Sequence, residues 1–287
     1  MSLSSKIDFA VIFRVVNANP NGDPLNGNRP RTIYEGNGEV SDVCLKRKIR
    51  NRLMEAGEAI FVQSDDNKKD VHGSLKSRAD SVLAGINGTE EIARKSCATW
   101  LDVRAFGQLF AFKAAGSKKG KAKKEEGESA AGEDKGVSIG IRGPVSVHPA
   151  FSVTPVSVTS TQITKSVSSE GDGSKRGSDT MGMKHRVDQG TYLFCGSMNP
   201  QLAEKTGFSD ADAETIKAVL PKLFENDASS ARPEGSMAVE KVIWWRHSSK
   251  AGQYSSAKVH RTLLVNADGS YQLNNLSGLT PEEIDGF

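Results

Sequence analysis

Residues 7–16 are almost continuously apolar and β-branched, interrupted only by Asp8 and Arg14. So short a run predicts a buried strand. A loop rich in Asn, Gly and Pro follows at 17–31. The period then changes. Leu45, Ile49 and Leu53 recur at i, i+4 and i+8, which puts one buried stripe on a helix. Ser41 as N-cap and Asp42 in the first turn open that helix, and Gly57 closes it. A strand feeding a helix is a common opening for α+β domains. Residues 60–98 are polar and broken by glycines, with a short helical signal at 90–95, and residues 100–112 turn apolar again. A strand is predicted at 137–147. A Ser/Thr/Val segment at 152–167, a polar tip at 171–179 and a return at 180–187 predict a long two-stranded excursion with a flexible apex. Further strands are predicted at 191–195, 239–246 and 257–265. Between them Ser209 starts a helix, with Asp212 completing a weaker capping box. Its apolar face is Ile216, Val219, Leu220, Leu223 and Phe224, and Pro221 inside that pattern predicts a kink or two pieces.

Composition changes this picture at one place. Residues 114–135 hold only Lys, Glu, Gly, Ala, Ser and Asp, which predicts a disordered surface insertion. Its basic half, residues 118–124, also suits a dynamic nucleic-acid contact. The rest reads as one domain, 1–287, without internal repeats. Lys plus Arg number 38 against 35 Asp plus Glu, a net charge of +3 over 287 residues. That balance excludes a histone-like polycation or an acidic tail protein. No apolar run approaches the roughly 20 residues of a membrane span, and the charges at Asp8 and Arg14 argue against a signal peptide. Cys44, Cys97 and Cys195 are odd in number and widely spaced, as expected of buried thiols in a reducing, cytoplasmic setting. The five histidines form no ligand spacing, so neither a metal nor a cofactor is expected.

The candidate chemistry is cationic rather than catalytic. Gly22 and Gly27 have Walker-like spacing, but Asn28 and Arg29 replace the Lys and Ser/Thr, and Pro24 and Pro30 remove donors a phosphate cradle needs. No GxGxxG or GxSxG is present. Lys46, Arg47, Lys48, Arg50 and Arg52 place five bases in seven residues. On a helical wheel Lys46 and Arg50 flank one side of the Leu45/Ile49/Leu53 stripe, Lys48 and Arg52 the other, and Arg47 points outward, so cations could follow a phosphate chain. The far half of the excursion holds Lys175, Arg176, Met181, Met183, Lys184, His185 and Arg186, a mixture suited to wedging against bases while holding phosphates. Arg142 lies near glycines in Gly140-Ile-Arg-Gly-Pro144, where a backbone or ligand can approach closely. In the tandem Trp244-Trp245 one ring should face the core and the other outward, as a subunit contact or edge cover.

Four blocks, in order, carry a resemblance over about 280 residues: Asn17-Ala-Asn-Pro-Asn-Gly-Asp-Pro24, Asp102-Val-Arg-Ala-Phe-Gly107, Gly140-Ile-Arg-Gly-Pro-Val145 and Asp179-Thr-Met-Gly-Met-Lys-His-Arg186. The sequence resembles the Cas-seven family of the RAMP superfamily, the backbone subunits of CRISPR Cascade complexes, in its type I-C branch. The resemblance implies an α+β fold: an RRM-like (ferredoxin-like) palm, a finger insertion at 58–137 and a protruding thumb β-hairpin at 156–187. It implies a non-catalytic subunit of antiviral defence. Copies would polymerise head to tail along CRISPR guide RNA, beside an RNA-processing cap subunit and large and small subunits. Each thumb would displace a base at intervals, leaving the guide to pair with target DNA.

The roles expected on that basis are specific. Lys46, Arg47, Arg50 and Arg52 hold phosphates from the helix. Asn19, Asn21 and Arg29 contact RNA from the first loop, and Arg142 supports them. Met181 wedges at the thumb, with Lys175, Arg176, Lys184, His185 and Arg186 around it. Superfamily relatives that cut RNA with a loop aspartate or a histidine supply the competing reading, for which Asp23 and His185 are the carriers. An Asx turn is the simpler role for Asp23. A standalone single-strand binder is a third possibility.

Overall fold

The computed structural model describes residues 1–112, 137–165 and 181–287. The polar tip at 171–179, the basic stretch at 118–124, Lys175 and Arg176 lie outside those residues. Strand β1 (Ile7–Ala18) is the centre of an eight-stranded sheet. It pairs antiparallel with β10 (Met181–Met198) from Ile7↔Met198 to Ala18↔Val187, and on its other side with β11 (Met237–Arg246). The path across the sheet is β14 (Glu282–Asp285), β11, β1, β10, β8 (Ala150–Pro155) and β4 (Asn37–Val40). Strands β7 (Val145–Val147) and β9 (Val158–Thr164) also pair with β10. The fold is therefore mixed α+β around a central antiparallel sheet.

Alternation along β1 decides what lies on each face. Phe9, Val11, Phe13 and Val15 point to one side, where α1 (Asp42–Glu55), α6 (Asp210–Val219) and the turn after α6 cover them with Leu45, Ile49, Leu53, Ile216, Leu220 and Phe224. Phe13 stacks on Tyr192 at 5.2 Å and meets Phe224 at 4.9 Å. Each such ring contributes roughly 1.5–3 kcal/mol by burial. Ala10 and Ile12 point to the other side, under a C-terminal cover made of α7 (Ser256–His260), β12 (Leu263–Val265) and β13 (Tyr271–Leu273). Helix α1 follows β4, after the opening loop, and α6 and its 3-10 turn precede β11. The core strands β11, β1, β10 and β7 thus run 4-1-3-2 when renumbered among themselves.

A second core belongs to the region between α1 and β7. Helices α2 (Leu75–Leu83), α3 (Thr89–Thr99) and α4 (Leu101–Phe106) and the ladder of β5 (Gly107–Phe112) with β6 (Val137–Arg142) enclose Phe61, Trp100, Phe110 and Ile139. A short helix α5 (Pro200–Thr206) precedes α6.

Some expectations change. The strand pieces at 180–187 and 191–195 are one strand of 18 residues, because pairing with β1 carries the ladder through Asp188-Gln189-Gly190. Residues 137–147 are two strands, broken at Gly143-Pro144. Residues 256–260 are helical, capped by Ser255 on the Lys258 N–H. Pro221 does divide the helix, since α6 ends at Val219 and a 3-10 turn takes Leu220–Lys222. Both tandem tryptophans are buried: Trp244 joins the helix-covered core and Trp245 the opposite one. No outward ring remains, because the C-terminal segment covers the second face.

Candidate nucleic-acid interface

The opening loop contains two very short strands, β2 (Gly22–Asp23) and β3 (Arg29–Pro30). Gly27 and Asn28, both with φ near +59°, turn the chain between them; Gly and Asn tolerate that left-handed conformation. Asn19 is buried and donates from Nδ2 to the Asn28 carbonyl at 2.6 Å. Asn21 Oδ1 accepts from both the Ser41 N–H and the Ser41 hydroxyl at 2.9 Å. Ser41 in turn caps α1 through the Cys44 N–H. Asn19 thus braces the loop, and Asn21 fixes the start of α1. Asp23 accepts from the Leu25 N–H at 3.2 Å and lies 3.5 Å from Arg31, which is the Asx turn.

Helix α1 confirms its stripe but not its open cationic flanks. Lys48 is buried and pairs with Asp227. Burial pushes its pKa down, against the pull of Asp227. Arg52 is buried and bonds Glu55 at 2.6 Å. Arg50 Nε donates to buried Asp102 at 2.9 Å while its guanidinium lies over Phe106. The same carboxylate accepts from the Phe61 and Val62 N–H groups at 2.7 and 3.0 Å. Asp102 is fully buried, so removing Arg50 from it is costly. Lys46 pairs with Asp42 one turn away and Arg47 with exposed Asp66. Such surface pairs are worth about 0–1 kcal/mol, and both cations can exchange their carboxylate for a phosphate.

Arg142 ends β6 as an exposed side chain with no acidic partner among the described residues. Its neighbour Gly143 packs against backbone: a Cβ there would lie 2.2 Å from the Ala105 carbonyl oxygen.

The β9–β10 ladder forms a two-stranded ribbon. It pairs Met181 with Thr164, Met183 with Gln162, and His185 with Ser160. Because faces alternate, Met181, Met183 and His185 share one face with Ser160 and Gln162. Lys184 and Arg186 lie on the other with Ile163. The expected cluster of Met181, Lys184, His185 and Arg186 is thus divided between two surfaces. Met181 and Met183 are 63% and 55% exposed, so they are not core. Lys184 has no acidic partner among the described residues, and Arg186 lies 3.7 Å from Asp188. On the methionine face Ser160 Oγ lies 2.8 Å from Arg29 Nη2 and 2.8 Å from His185 Nδ1. The first loop and the ribbon therefore meet. Ser160, Asp102 and Asp227 escaped sequence reading. An aspartate inside the apolar run at 100–112 was the one available signal, since a buried carboxylate needs partners.

No group of three or more potential metal ligands occurs among the described residues, nor any helix there long and apolar enough to cross a membrane.

A family model described as CRISPR-associated protein Cas7 matches residues 5–280. A protein of Haloferax volcanii named CRISPR-associated protein Cas7 is 26% identical over 284 residues, covering 96% of this chain and 80% of its own length. Two solved chains are similar in shape. One, from a "CRISPR RNA-guided surveillance complex, pre-nicking", has TM-score 0.49 at 17% identity, covering 93% of this chain and 84% of that one. The other, from a "CRISPR RNA-guided surveillance complex", has TM-score 0.44 at 18% identity, covering 93% and 78%.

Proposed function

Because the chain belongs to the CRISPR-associated Cas7 family, we propose that it is a non-catalytic backbone subunit of the type I-C branch, with an RRM-like (ferredoxin-like) palm. Copies polymerise along CRISPR guide RNA beside the other Cascade subunits and present the guide to target DNA. The observation that carries this reading is the ribbon, the proposed thumb. Two exposed methionines project from one face of it, with Lys184 and Arg186 on the other, and apolar side chains without a core to fill suit insertion between bases. Arg29, Arg142 and Lys184, without carboxylate partners among the described residues, with Lys46 and Arg47 in weak surface pairs, are the proposed phosphate contacts. Contacts of this kind hold RNA of any sequence. The nuclease alternative is weaker, since Asp23 already accepts a backbone N–H and faces Arg31.

Binding to guide RNA as a function of salt tests the assignment. Arg142→Ala should lower the log–log slope by about 1 per subunit site, uniformly across guide sequences. Arg50→Ala should lower stability instead. An unchanged slope in Arg142→Ala removes that residue from the interface. Guide cleavage abolished by Asp23→Asn would replace the scaffold reading with the enzyme.

A further inference from the structure

Ser160 is the meeting point of two elements that the chain brings together from far apart. Arg29 comes from β3 in the opening loop, and His185 sits on β10 directly opposite Ser160 in the ladder. Arg29 donates from Nη2 to Ser160 Oγ at 2.8 Å, and His185 Nδ1 lies 2.8 Å from the same oxygen. A hydroxyl has one hydrogen to give and two lone pairs to receive. It can accept from the guanidinium while donating to an unprotonated Nδ1, so both contacts form at once. The other end of the loop is fixed separately, by Asn21 on the N-cap of α1. The loop is therefore strung between the helix and the ribbon, with Ser160 as its attachment on the ribbon side.

The attachment has a definite direction. Ser160, His185, Met183 and Met181 occupy one face of the ribbon in register order, and Gln162 Nε2 reaches Met181 Sδ at 3.5 Å. Arg29 thus arrives on the methionine face and not on the face of Lys184 and Arg186. Without the Ser160 oxygen, a long exposed guanidinium has many rotamers to sample, and ordering it costs conformational entropy.

We propose that Ser160 is a positioning residue: it holds Arg29 and His185 on the methionine face of the ribbon, so that a nucleotide displaced there meets a preset cation. This rests on the guide-binding reading above. The prediction is that Ser160→Ala weakens guide RNA binding roughly 3- to 10-fold, the net worth of one typical intramolecular hydrogen bond. Its log–log salt slope stays that of the wild type, because no phosphate contact is lost, whereas Arg29→Ala lowers the slope by about 1. Ser160→Thr, which keeps the hydroxyl and suits a strand, restores affinity. Circular dichroism of Ser160→Ala should match the wild type, since the β9–β10 backbone ladder is untouched. If wild type binds guide RNA and Ser160→Ala binds equally well, or Ser160→Thr fails to restore binding, the inference is overturned alone. If wild type itself does not bind guide RNA, the proposed function falls and the inference with it. Within RNA-binding protein, an Arg29→Ala/Ser160→Ala double-mutant cycle with zero coupling energy also overturns it.

Discussion

Asp8 is fully buried near the start of β1, and side chains from three places converge on it. Lys6 Nζ lies 3.2 Å away, His247 Nε2 2.9 Å, and His260 Nε2 3.7 Å. His247 Nδ1 accepts the Gln253 N–H at 2.9 Å, so its Nε2 carries a proton toward Asp8. His260 approaches the Gly196 carbonyl at 3.1 Å and packs edge-on to His148. Burial pushes the His260 pKa below its ordinary 6.5, overcoming the attraction of Asp8. Since the folded value is the lower one, the unfolded chain binds the proton more readily. Stability is then fully present above pH 6.5 and is lost as pH falls below it. Urea midpoints measured from pH 7.5 down to 5.5 should decline, and His260→Gln should flatten the decline. A wild-type midpoint that rises over that window would show that Asp8, not burial, governs His260.

Elements meet backbone against backbone where the α4–β5 junction crosses the β6–β7 turn. A Cβ on Gly143 would lie 2.2 Å from the Ala105 carbonyl oxygen and 2.5 Å from the Gly107 nitrogen, and one on Gly107 would lie 2.3 Å from the Ile141 carbonyl oxygen. These contacts are with backbone, which cannot swing aside like a flexible side chain. Gly143→Ala should therefore cost roughly 1–3 kcal/mol, measured by urea denaturation. Gly73→Ala, whose added methyl meets open space, should stay within about 0.5 kcal/mol. The glycines in the third family block were visible in the sequence, but whether a ligand or a strand lay against them was not. The same limit holds elsewhere. The stripe of α1, the cap at Ser41 and the capping box at Ser209 are local patterns and were legible. The fate of the cations was not, because Asp66, Asp102 and Asp227 lie 19, 52 and 179 residues from their partners. Nor was the continuity of β10, which its pairing with β1 imposes on an unfavourable Asp-Gln-Gly segment.

At the scale of the molecule the described residues form three apolar clusters, and two of them meet at one short helix and at the Ile60–Phe61 step. Leu101 and Ala105 of α4 belong to the sheet–helix core, while Val103 belongs to the cluster around Phe61, Trp100 and Phe110. Asp102 reinforces the joint by holding Arg50 of α1 and the N–H groups of Phe61 and Val62 together. A cluster attached through so narrow a joint should open as its own unit, at lower free energy than the sheet. In the proposed filament such a unit can adjust against a neighbouring copy while the guide-holding face stays fixed. Two equivalent truncations separate the units. Phe13→Ala and Phe61→Ala each remove a buried phenyl ring and each should cost about 3–5 kcal/mol locally. Native-state hydrogen exchange of Phe13→Ala should lose protection throughout β1, β10 and β11. Phe61→Ala should lose it in α2, α3 and the β5–β6 ladder while β1 keeps wild-type protection. Equal loss in β1 would mean that α4 welds the two clusters into one cooperative unit, and that the Phe61 cluster opens only when the sheet unfolds.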